Sequence, residues 1–355
     1  MLSIEEMKSF LLHDEGLIRR YAAKYLVRTQ TKDENIMPLF IKAYRKEKDV
    51  MFRGYIAMQM ENLSMNSETV NRIYRLAKNV AKDRHHFERA LAYADVNIIK
   101  SSTKKIRLSI KEYKDILKYR MEISQKDTTT LLEEFNNLKE IAKNNYEEFD
   151  FEKVKILSKE LSNRSDLPME KIHKWFEKYS WKNPDFDEVF MCLIAGDLKL
   201  VEYVDLLLKS LRIDWDYINE EGMYALVKMQ SPLVVEKIDK MFLKENKGFQ
   251  CYASTVLGDT KTPKSEDILV SLLKKANTKF LNTQLIFALC DLGSEKAIKL
   301  GEKLLPNGYD DSFDSLEENL YIVSVINDID HPNLNDWKAI AYENEKRIRS
   351  IREEI

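Results

Sequence analysis

Glycine and proline are scarce in this chain, 9 and 7 among 355 residues. Little of the backbone is set up for tight turns, and little interrupts a helix. That counts against sandwiches, barrels and parallel α/β folds, which need many glycine-rich turns. Cysteine is limited to Cys192, Cys251 and Cys290, far apart and odd in number, which excludes a disulfide scaffold and fits a reducing cytoplasm. No apolar run approaches the roughly 20 residues of a membrane span, so no membrane partner is expected. The opening MLSIEEMKSFLL carries acids where a signal peptide would carry cations. The net charge of −2 gives the whole molecule no bias toward nucleic acid or an anionic surface.

What is present favours helix. Hydrophobic residues make up 44% and charged residues 33%, with Lys, Glu, Leu, Ile and Met abundant. A chain of this length exceeds one ordinary core, which points to two domains or an extended array. Self-similarity at a fixed step supports the array. At an offset of 34 residues, Leu17, Ile18, Arg19, Tyr21, Ala23 and Leu26 fall on Met51, Phe52, Arg53, Tyr55, Ala57 and Met60. A third copy, 35 further on, puts Phe87 under Phe52 and Ala92 under Ala57. In the second half, Tyr224-Ala225, Tyr252-Ala253, Phe287-Ala288 and Ile322-Val323 open similar stretches, spaced 28, 35 and 35 apart. Each closes on a turn, at Met229-Gln230-Ser231, Leu257-Gly258-Asp259, Leu292-Gly293-Ser294 and Asn327-Asp328. The glycines suit a left-handed helix end, and the Ser or Asp beyond suits an N-cap.

These residues resemble the HEAT-repeat family, including its bacterial short-repeat members. ALCDLGSEKAIKLGEKLL, residues 288–305, is similar to that family's helix end, turn and next helix. Ile18-Arg19-Arg20-Tyr21-Ala22 and Phe52-Arg53 look like its hydrophobic-Arg helix start, with Asp14, Glu15 and Asp49 placed as the acids that bond to such an arginine. Leu281 departs from the pattern, so the polar ladder is incomplete. The resemblance implies an all-α fold, a right-handed α-solenoid of antiparallel helix pairs with an irregular helical middle. The expected division is HEAT-like repeats over 1–98, an irregular helical connector over 99–183 and HEAT-like repeats over 184–355, stacked as one continuous solenoid. In the connector, KEYKDILKYRMEI, TLLEEFNNLKEIAKNN and FEKVKILSKEL still read as helices, while Leu167-Pro168 and Asn183-Pro184 read as helix boundaries.

Charge is unevenly spread. Between Arg72 and Arg120 stand fourteen Lys and Arg against five Asp and Glu. Arg75, Lys104, Lys105, Arg107 and Lys111 form a candidate face for phosphate or an acidic partner; the plain alternative is a solvated helix face with paired charges. Residues 306–336 hold eight acids and no Lys or Arg. The spacing around Asp310, Asp311 and Asp314 does not match a calcium loop, so helix capping explains these acids more simply and no metal is expected. His85-His86 is the one adjacent histidine pair, and neighbours on a helix point about 100° apart. Trp175, Tyr179 and Trp181 form an aromatic cluster able to anchor a partner or to plug a junction between helices. Cys192 and Cys290 lie on apolar stripes as small buried residues.

No P-loop, dinucleotide glycine pattern, nucleophile elbow or HExxH spacing occurs, so no catalytic residue and no cofactor is nominated. The leading expectation is a non-catalytic binding or scaffold protein that takes a protein or peptide partner on the concave solenoid surface. The alternative is a nucleic-acid binder working through the 72–120 segment, of the kind in which HEAT-like proteins remove damaged bases. A third reading, an accessory to a lyase or to cofactor attachment, has no specific residue behind it.

Overall fold

The computed structural model describes residues 2–102, 106–144, 149–178, 185–312 and 314–353. These residues are helical with no strand among them. The chain begins with α1 (Ile4–Phe10) and α2 (Gly16–Arg28). It continues through α3 (Ile36–Lys46), α4 (Val50–Gln59), α5 (Ser67–Asn79), α6 (Arg84–Tyr93), α7 (Val96–Ser101) and α8 (Lys111–Ile123). Next come α9 (Thr128–Asn144), α10 (Phe151–Ser162), α11 (Met169–Glu177), α12 (Phe186–Leu198), α13 (Val204–Ser210) and α14 (Asp216–Met229). The last stretch is α15 (Pro232–Met241), α16 (Lys247–Asp259), α17 (Pro263–Leu273), α18 (Lys279–Asp291), α19 (Lys296–Leu304), α20 (Leu316–Ile326) and α21 (Leu334–Glu353). None is long and apolar enough to cross a membrane, among the described residues. The helices expected at 111–123, 130–145 and 151–161 are α8, α9 and α10, and Pro168 stands at the N-cap of α11; Asn183-Pro184 lies outside the described residues.

Local chemistry sets the helix ends. Asp49, Asp95, Asp150, Ser231, Asn246, Thr262, Thr278 and Ser315 each accept from a main-chain N–H in the first turn of the helix they precede. At the other end, several helices close on a left-handed residue: Lys199 and Asp328 at φ 54°, Gln230 at φ 45° and Gly293 at φ 67°. At three of these the chain reaches back with a 3.0 Å bond, Leu200 N–H to Ala195 O, Ser294 N–H to Leu289 O and Ile329 N–H to Ser324 O. Only one of these ends uses glycine. Gly258, expected at such a turn, instead lies inside α16. A Cβ there would stand 3.1 Å from Ala288 Cα, so its smallness serves the close approach of α16 to α18.

By contact the helices form two compact units. One spans 31–229; the other joins 1–30 to 230–355, so α1 and α2 share a unit with α15 through α21. In the latter, α16, α18 and α20 pack in succession, and α2 packs on α20. One face of α2 is tied down by polar bonds. The Tyr21 hydroxyl donates to Cys290 O at 2.7 Å, Lys24 meets Asp291 at 2.6 Å, Arg28 meets Asp259 at 3.2 Å and Arg20 meets Glu318 at 2.6 Å. Glu15 accepts from the Tyr321 and Tyr342 hydroxyls and pairs with Lys338. Arg19 reaches the carbonyls of His13 and Asp14.

In the 31–229 unit, α12 crosses α14 where Gly196 meets Ala225. A Cβ on Gly196 would stand 2.7 Å from Ala225 Cα. Arg53 reaches forward to buried Asp83, 3.3 Å away, and the Tyr44 hydroxyl donates to the same carboxylate at 2.6 Å.

Candidate functional site: a basic groove along α8

Helix α8 forms one wall of the groove. The residue before α8, Ile110, has no side chain able to cap it. Glu88 of α6, only 3% exposed, supplies the missing acceptor. Its carboxylate takes N–H bonds from Ser109 at 2.7 Å and from Ile110 at 2.8 Å, and one from the Ser109 hydroxyl. A negative charge at a helix N-terminus is favoured by the helix dipole. Arg120, near the far end of α8, returns the bond: its guanidinium donates to Ala92 O and to Ala94 O, the latter at 2.7 Å, just where α6 ends. Burial lowers the Arg120 pKa from its usual value. The two helices thus cap each other, and α8 is fixed in place.

One stripe of α8, at i, i+3, i+4 and i+7, carries Lys114, Leu117, Lys118 and Met121. Across from it run α7 and the segment 106–108. Between them lies a groove of about 900 Å³. Its floor is aliphatic, made of Ile99, Ile106, Leu108, Leu117 and Met121. Among the described residues its rim holds Lys100, Arg107, Lys114 and Lys118 against one acid, Glu122. Glu122 stands 3.8 Å from Lys118, and Lys100 donates to the Ser124 hydroxyl at 3.3 Å. The opposite stripe of α8 is acidic. There Glu112 and Asp115, with Asp150 and Glu152 and against one cation, Lys153, line a second hollow of about 300 Å³. Charge is therefore sorted across the width of one helix.

Of the basic residues named from sequence, Arg107 lines the groove. Arg75 is exposed on α5 and is not part of the groove lining. Lys111 pairs with Asp115 at 2.7 Å, which raises the lysine's pKa and lowers the carboxyl's. Lys104 and Lys105 lie outside the described residues, as do Tyr179 and Trp181. Lys100, Lys114 and Lys118 belong to the basic run but not to that named set. Their signal is the alternation of Lys with Leu or Met at helical spacing, a finer pattern than a count of charges. Other members of the run serve structure: Arg120 and Arg84 bind main-chain carbonyls, and Arg89 pairs with Glu61.

Trp175 is half-buried, with its ring 6.2 Å from Phe135 and 5.3 Å from Phe176. Lys139 lies 4.3 Å above the ring while pairing with the buried carboxylate of Asp187 at 2.6 Å. The rings of His85 and His86 sit 3.7 Å apart, nearer than ideal helix directions imply, and burial with the neighbouring His85 lowers His86 to about 4. No group of three or more His, Cys, Asp or Glu able to hold a metal occurs among the described residues. The three thiols are free, and burial pushes those of Cys192 and Cys290 well above the ordinary range, where a nucleophilic thiolate does not form.

No protein-family model and no curated protein matches the chain. Among solved structures, an engineered protein from the Northeast Structural Genomics Consortium is 14% identical over 92% of this chain and 89% of that one, with a TM-score of 0.29. The complex of CpcE and CpcF of phycocyanin lyase from Nostoc sp. PCC7120 is 14% identical over 86% of this chain and 95% of that one, with a TM-score of 0.25.

Proposed function

We propose that the chain is a non-catalytic binding protein, a HEAT-like right-handed solenoid of paired helices that takes a protein or peptide partner. The groove along α8 carries this reading, since an aliphatic floor inside a charged rim is the chemistry of a macromolecular contact. The 34-residue step supports the solenoid, and the free thiols fit a reducing compartment such as the cytoplasm. The ionisable groups elsewhere support a non-catalytic role: Glu88, Arg120 and the carboxylates facing α2 are engaged in helix caps and ion pairs. The nucleic-acid alternative is less favoured, because the basic run is divided among helix caps, ion pairs and the groove. Affinity capture from native extract, with and without nuclease, tests the reading. A protein retained after nuclease supports it; retention of nucleic acid alone, or duplex-DNA binding that weakens steeply between two salt concentrations, overturns it.

A further inference from the structure

We infer that the groove along α8 docks an acidic amphipathic helix of a partner protein, an inference that rests on reading the chain as a binding protein. The partner's apolar side chains would fill the floor, and its Glu and Asp would face Lys100, Arg107, Lys114 and Lys118.

Three observations select this occupant. The first is the rim, with four cations to one acid among the described residues. Among the described residues, neither Arg107 nor Lys114 has an ion pair. Lys114 and Lys118 stand one turn apart on the same exposed stripe, where like charges repel weakly. A carboxylate between them relieves that repulsion. The second is the floor. Ile99, Leu108 and Leu117 show only their edges, while Ile106 and Met121 are half-buried, and the unbranched, polarizable side chain of Met121 adapts to an incoming apolar group. Single-stranded nucleic acid fits less well, because its bases stack on aromatic rings and the groove lining includes none among the described residues. The third is shape. The wall is one stripe of α8 spanning two turns, Lys114 to Met121, and a helix laid in a groove presents anchors at i, i+3, i+4 and i+7.

Selection of a random 16-residue peptide library against the full chain tests the inference, with the double variant Lys114→Glu/Lys118→Glu as counter-target. Both lysines are exposed, so the variant should keep the helical circular dichroism and melting midpoint of the parent. The expected winners carry Glu or Asp interleaved with Leu, Ile or Met at helical spacing. They should lose at least tenfold in affinity on the double variant and on Met121→Gln, and keep it on Lys78→Glu of α5. Winners without that pattern, equal binding to the double variant, or no enrichment over it would overturn the inference, as would single-stranded DNA that binds the groove more tightly than the winners. The groove assignment and the binding-protein reading fail separately. If native extract yields a nuclease-resistant protein partner held equally by parent and double variant, the groove assignment falls and the binding-protein reading stands. If only nucleic acid is captured, both fall.

Discussion

The ammonium of Lys261 donates to the main-chain carbonyl of Asp291 at 2.6 Å, at the very end of α18. It makes a second 2.6 Å bond to Gly258 O near the end of α16 and lies 4.6 Å over the Tyr25 ring of α2. Its side chain is 7% exposed. One cation thus serves two helix C-termini where their dipoles converge. Burial pulls its pKa down from 10.5 to about 8, against the pull of Asp259 and Asp291.

That shift gives a pH signature. Between about 8 and 10.5 the unfolded chain holds a proton on this lysine that the folded chain has released, so stability from this group rises with pH across that window. Lys261→Met, neutral throughout, removes the effect and leaves the carbonyls without their donor. The lost donor costs about 1–3 kcal/mol, offset at pH 7 by relief of the buried charge, so variant and parent should differ least near pH 7. The gap to the parent should widen from pH 7.5 to 9.5 in denaturant unfolding, and a constant gap would refute the account.

Glu88 is the N-terminal cap that α8 cannot supply for itself. Glu88→Gln keeps the size but replaces one acceptor oxygen with a donor facing N–H groups. A loss of about 1–3 kcal/mol is expected, together with faster amide exchange in the first turn of α8. Unchanged exchange at Ser109, Ile110 and Lys111 would show that the cap is dispensable.

Much of this organisation was legible beforehand, and the reasons differ by element. The helices at 111–123 and 151–161 follow from apolar spacing and from nearby turn residues, information held within a dozen positions. Gly293 was readable as a left-handed helix end because its neighbours Leu292 and Ser294 frame it. Gly258 has the same framing, yet its role is set by Ala288 on another helix, which no local pattern reports. The joining of 1–30 to 230–355 was hidden for the same reason: Tyr21, Lys24 and Arg28 read as one more helix face, and their partners Cys290, Asp291 and Asp259 are more than 200 residues away. The groove was half visible. The run 72–120 announced its charge, but which cations face the groove depends on how α6 and α8 cap each other.

Gly196→Ala should be harmful although alanine is the better helix former. The added methyl would press on the main chain of Ala225, which cannot swing aside as a side chain would. We expect a loss of about 1–3 kcal/mol, read as a lowered thermal midpoint. A variant at least as stable as the parent would mean that α12 and α14 separate at little expense.

Lys199→Gly should act in the opposite direction. Lys199 holds φ 54° and ψ 46°, a region unfavourable for any residue with a Cβ. Glycine relieves that strain while adding freedom to the unfolded chain, for a net gain of about 0.5–1 kcal/mol. Thermal unfolding would show a modest rise in midpoint; a drop would indicate that the lysine side chain contributes contacts worth more than the strain.

The two-faced charge of α8 sets the distance at which this helix shows a sign to an approaching group. A helix with its side chains is roughly 10–12 Å across, whereas the screening length in physiological saline is near 8 Å. A body approaching from afar meets a nearly neutral object, as the isoelectric point of about 6.3 suggests. Once within contact range it feels one flank alone, cationic or anionic according to its side of approach. Diluting the electrolyte lets the flanks cancel, so attraction at long range need not strengthen as it does for a uniformly charged protein.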